Sequence, residues 1–106
     1  MITTERLQLI LRVADRAMAH QRAIDDLAEA QRRLDQGYAD FFEAHGRPEG
    51  RFHQDNEDFL PVMFFTEGQY QRLQAAKKAE YNALRRHHTA LRALESFNPV
   101  DLKGVA

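Results

Sequence analysis

Three sets of side chains in this 106-residue chain have the types and spacing for chemistry. His53, Asp55 and Glu57 alternate, so an extended backbone would turn all three to one side and offer nitrogen and oxygen ligands to zinc or another divalent cation. Structural zinc takes four ligands on ordered elements, and no HExxH, Glu-x-x-His or EF-hand loop accompanies the trio. A solvated acidic loop is the better reading, and no metal is assigned. His87 and His88, with His20 and Glu80, could form an acid/base group in a helical core. Histidines on a helical seam are more often hydrogen-bonded packing residues. No Gly-rich phosphate loop, Gly-x-Ser-x-Gly elbow or Ser/His/Asp arrangement occurs, and cysteine is absent, which removes disulfides, thiolate zinc and cysteine nucleophiles. No catalytic residue and no cofactor is assigned, and the expectation is a protein that is not an enzyme.

The third set is cationic. Lys78, Asn82, Arg85, Thr89 and Arg92 follow one another at steps of four, three, four and three, which puts them on one helix face, flanked by Arg86 and His88. Such residues contact phosphates and base edges. Against that, the preceding segment is acidic and no short helix-turn-helix leads into the face. Nucleic-acid binding through Lys78, Asn82, Arg85, Arg86, Thr89 and Arg92 is therefore the alternative reading. The same face could receive an acidic protein surface, including the acidic connection of a second copy.

The elements that must position these groups follow from the apolar pattern. Thr4 to Gln36 contains no Pro or Gly, and its stripe runs Ile10, Val13, Ala17, His20, Ile24, Leu27, Gln31, Leu34, then Tyr38 and Phe41 beyond a glycine, Gly37, that could kink the helix. Thr3 or Thr4 is the expected N-cap, and Gly46 with Pro48 the expected stop. Leu7, Leu11, Ala14 and Met18 form a second apolar line that one partner helix cannot also cover. Residues 46 to 58 read as an acidic connection. Phe59, Leu60, Pro61, Val62, Met63, Phe64 and Phe65 then make one uninterrupted apolar block. It reads as a plug over the helix pair or, if exposed, as a docking patch, and the plug is favoured because small proteins rarely leave so much apolar surface in water.

Thr66-Glu67-Gly68-Gln69 has the form of a capping box, opening a second helix that Asn98-Pro99 should stop. Its stripe is Tyr70, Leu73, Lys77, Glu80, Leu84, His87, Leu91 and Leu94, and the tail keeps Val100, Leu102 and Val105. With Phe41 opposite Tyr70, facing pairs have numbers adding to 111. Gln31 then meets Glu80 with Lys77 one turn away, a polar layer in an apolar seam.

The expected fold is all-α: an elongated, coiled-coil-like antiparallel helical hairpin over residues 1–106, with a helix at about 4–45, a connection and plug at 46–65, a helix at about 66–97 and a tail at 98–106. A rod of this size buries little surface, so pairing into a dimeric helical bundle is expected. The net charge of −1 with 29% charged residues argues against a polybasic arm, an acidic tail or wholesale disorder. No signal-peptide pattern and no apolar run of membrane-span length is present, so a cytoplasmic location is expected. Twelve Arg against three Lys is the composition of a GC-rich bacterial or phage genome. The functional expectation is a small protein-binding module, an adaptor, an inhibitor of a larger protein or a self-assembling component, of the kind found as bacterial or phage accessory proteins. Its expected docking residues are Leu7, Leu11, Met18, Phe59, Leu60, Met63, Phe64 and Phe65.

Overall fold

A computed structural model of the chain describes residues 2–97. The fold is an all-α antiparallel helical hairpin. Helix α1 spans Thr4–His45, a single 3-10 turn covers Glu57–Phe59, α2 is Leu60–Phe65 and α3 is Glu67–Ser96. None of these helices is long and apolar enough to cross a membrane. The expected Asn98-Pro99 stop and the tail residues Val100, Leu102 and Val105 lie outside the described residues.

Helix α1 begins where Thr3 Oγ1 accepts the Arg6 amide at 3.1 Å, satisfying one of the donors a helix leaves open at its start. It ends at Gly46, whose φ of +79° is the left-handed conformation that closes a helix, with its amide 2.7 Å from the Phe42 carbonyl. Gly37 does not break it. That glycine is buried instead, because a Cβ there would sit only 3.1 Å from Thr66 Cγ2.

The chain forms two compact units. The first joins residues up to Ile24 with those from Ala79 onward; the second is Asp25–Lys78. In the first, His20 Nε2 lies 2.8 Å from a Glu80 carboxylate oxygen, and its ring is 6.2 Å from that of His87. Ala83 and Ala90 are buried, while Ile10, Val13, Ala17 and Ala23 are half-buried. In the second, Leu34 and Leu73 are buried and Phe41 meets Phe65 at 5.4 Å with the rings tilted.

On the first unit's seam His20 meets both Glu80 and His87, with numbers adding to 100 and 107. The expected register of 111 placed His20 opposite Leu91, whereas these partners lie about one to three turns earlier on α3. Small residues also recur along both helices. Ala23, Ala30 and Gly37 recur every seven positions on α1, and Ala76, Ala83 and Ala90 do so on α3. These lie inward beside Leu27, Leu34, Leu73 and Leu84 of the expected stripe, while Ile24 and Gln31 are exposed. The expected Gln31–Glu80–Lys77 layer does not form. Gln31 donates to Asp35 along its own helix at 3.0 Å, Lys77 is exposed, and Glu80 partners His20.

The junction of α2 and α3 also departs from the expected capping box. Thr66 is buried, and its hydroxyl donates back to the Val62 carbonyl at 2.8 Å instead of accepting from the first turn of α3. Its own amide bonds the same carbonyl at 3.0 Å, so α3 follows α2 after a one-residue break.

Candidate functional site

The block Phe59 to Phe65 is split between core and surface. Asn56 starts it by accepting the Asp58 amide on its side-chain oxygen at 3.1 Å, and Pro61 sits in the first turn of α2, where no amide is needed. One face of the block is the plug: Phe59 and Val62 are 0% and 1% exposed. Phe59 stacks on Phe52 at 4.8 Å and meets Phe42 edge-on at 6.3 Å, while the Arg47 guanidinium covers both Phe42 and Phe59 at 5.4 and 5.6 Å. Phe59 is thus core and not docking surface. The other face is open, with Phe64 72% and Phe65 56% exposed.

Between that open face and the helices lies a groove of about 430 Å³, lined mainly by Tyr38, Phe52, Leu60, Met63, Phe64 and Tyr70, with Gln54 and Glu67 beside them. Tyr38 is half-buried in it, edge-on to Phe52 at 5.1 Å. Burial pushes its phenol above the ordinary value of 10.0; a hydrogen bond with Thr66 opposes the shift, and Tyr70 and Asp35 add to it. Phe52, Tyr38 and Tyr70 were not among the docking residues expected from sequence. The signal for Phe52 was available, as a lone aromatic in an otherwise polar connection.

The other candidates sit elsewhere. Leu7, Leu11 and Met18 form an exposed line on α1 in the first unit. Also in that unit, Asn82, Arg85, Arg86 and Thr89 line a cleft of about 630 Å³ together with Arg12 and Arg16 from α1. Lys78 and Arg92 do not line it. In the second unit, His53 and Asp55 turn toward each other, 3.3 Å apart, and His53 Nδ1 also receives the Asp55 amide. Glu57 opens the 3-10 turn, and no group of three metal-ligating side chains comes together among the described residues. His20, Glu80 and His87 meet on the first unit's seam, whereas His88 is exposed, its ring 6.0 Å from that of His87.

On α1, Glu29 holds Arg33 at 3.0 Å and also pairs with Arg32. The hydrogen bond from Arg33 comes first among the causes that lower its carboxyl below the ordinary 4.5, followed by the charge of Arg32.

No protein-family model, curated protein or solved structure matches the chain.

Proposed function

We propose that the chain is a protein-binding module without catalytic activity, and that the Phe64–Tyr70 groove takes an amphipathic helix whose polar side is basic. The observation that carries this reading is the split of one short helix. Phe64 stands 72% exposed on a base anchored by the fully buried Phe59 and Val62. An aromatic side chain held out by a rigid base loses little freedom on binding, which is how interface hot spots gain their energy.

Charge selects the occupant. The unit Asp25–Lys78 carries seven Lys/Arg against eleven Asp/Glu, a net of −4, whereas the remainder of the chain carries eight against five, a net of +3. A helix with the complementary character exists in the chain itself: Leu7, Leu11 and Met18 make its apolar line, with Arg12, Arg16 and Arg22 on the same segment. A second copy is therefore the first partner, by helix-in-groove docking that brings opposite charges together. A self-assembling component follows directly, and an adaptor or inhibitor presenting the same groove to a larger protein uses the same chemistry.

The test is sedimentation equilibrium of the full chain across a dilution series. A dimer that becomes monomer with either Phe64→Glu or Leu11→Glu, at unchanged helical circular dichroism, is the expected result. A protein that remains monomeric at every concentration overturns self-pairing.

A further inference from the structure

The geometry points to a second site, in the first unit: we propose that the cleft lined by Arg12, Arg16, Arg85 and Arg86 binds the phosphodiester backbone of a nucleic acid. Arginines from two helices, Arg12 and Arg16 of α1 with Arg85 and Arg86 of α3, line one cleft of about 630 Å³, and no carboxylate is among the lining side chains. Among the described residues none of the four arginines is held in an ion pair; Arg85 has a ring partner, Tyr81, at 5.8 Å. Arg32 and Arg33 of α1, by contrast, both pair with Glu29. Like charges lining one cleft repel, so an anion bound among them is favoured.

The shape of the cleft selects the anion. Arg12 and Arg16 are one turn apart on α1, and the pairs Asn82 with Arg86 and Arg85 with Thr89 are one turn apart on α3. The cations therefore form a track along two helices and not a single pit. One inorganic phosphate would leave most of that charge unanswered, whereas a strand supplies one anionic diester per nucleotide at regular intervals. Guanidinium forks engage phosphate oxygens two at a time. Asn82 and Thr89 add uncharged donors suited to phosphate and sugar oxygens. Arg12 and Arg16 also belong to the basic segment of the proposed docking helix. They lie roughly 140° around α1 from its Leu7–Met18 line, so the apolar contact and the cleft use different faces of that helix.

The experiment is fluorescence anisotropy with labelled probes of about 20 nucleotides, single-stranded DNA, single-stranded RNA and duplex, at several salt concentrations. Four phosphate contacts predict that a fourfold rise in salt weakens duplex binding about 150-fold and single-strand binding about 50-fold. Arg12→Gln combined with Arg85→Gln should halve the slope of log affinity against log salt at unchanged helical content. Arg33→Gln with Arg72→Gln, in the other unit, should leave that slope in place, and Phe64→Glu should bind the probes as the parent protein does. Absence of binding at the lowest salt, a slope indifferent to the Arg12/Arg85 pair, or tighter binding of polyglutamate than of every nucleic-acid probe would overturn the proposal.

Discussion

The two units use the same antiparallel helix pair and reach different interiors. In Asp25–Lys78 the connection folds back over the helices, so Phe59, Val62 and Thr66 are essentially sealed from water, beside Leu34 and Leu73. In the other unit, among the described residues, the buried side chains are Ala83 and Ala90, and the seam carries the His20–Glu80 pair. Two helices alone bury one stripe each, whereas a third layer gives the aromatic side chains a place to converge. Apolar burial concentrates where the connection is, and the net positive charge belongs to the rest of the chain.

The largest effect that would sharpen this contrast is at Phe59. Its truncation to alanine removes a fully buried ring from between Phe52, Phe42 and Arg47, and should cost about 3–5 kcal/mol in urea unfolding. Leu84→Ala, at a half-buried position of the other unit, should cost less than half of that, since the loss scales with the apolar area removed from water. Native-state hydrogen exchange would locate the damage. Faster exchange confined to residues 25–78 fits two separable interiors, and equal acceleration throughout would merge them.

A smaller effect, and one whose sign can be reversed, is expected at Gly37. Alanine gains about 1 kcal/mol of helix propensity over glycine. Here its Cβ would lie 3.1 Å from Thr66 Cγ2, and Thr66 cannot yield because its hydroxyl and amide both bond the Val62 carbonyl. Overpacking of this kind costs about 1–3 kcal/mol, so Gly37→Ala should destabilise by about 1 kcal/mol. In a Thr66→Ser background the obstructing methyl is gone and the hydroxyl bond is kept. The same Gly37→Ala change should then stabilise, as read from paired urea titrations.

These residues also show what the sequence made legible and what it did not. The absence of Pro and Gly before Gln36, the Gly46–Pro48 stop and the Phe59–Phe65 block were enough to indicate an all-α hairpin with a folded connection. The register was not readable, although most of the expected stripe lies inward, as at Val13, Leu27, Leu34, Leu73 and Leu84, because periodicity does not say which position faces which. Ile24 and Gln31 keep perfect periodicity yet face solvent, while Ala23 and Ala30 lie inward. An alanine on a helix face carries little hydropathic contrast, so periodicity alone cannot distinguish a close-packed stripe from a bland exposed one. Thr66 failed for a related reason. The Ser/Thr-x-x-Glu/Gln pattern marks a helix boundary, but whether its hydroxyl caps forward or bonds backward depends on what precedes it, and here a full helix does. Of the cationic site, the α3 half was visible as a face. The contribution of Arg12 and Arg16 from α1 required the pairing of the helices.

The finest distinction between the units is the character of their seams, polar at His20 and Glu80 and apolar at Leu34 and Leu73. His20 and Glu80 are 16% and 25% exposed at the side chain, so their 2.8 Å contact is only partly desolvated. Removing one partner, as in His20→Ala, leaves the other half-buried without its bond and should cost about 1 kcal/mol. Replacing both with leucine deletes the polar requirement and makes the first unit's seam resemble the second's. Because fully buried pairs replaced in this way are often neutral or gain 1–4 kcal/mol, a gain near the lower end, about 1 kcal/mol, is expected for a pair that still touches water. The stability measurement should be accompanied by the solution mass. A polar pair on a seam holds a chain to one register and one partner geometry, so the double leucine variant should be more stable and also more heterogeneous in association. If it is less stable than the parent protein, the histidine and glutamate contribute net binding between α1 and α3, and the first unit depends on a polar contact where the second depends on burial.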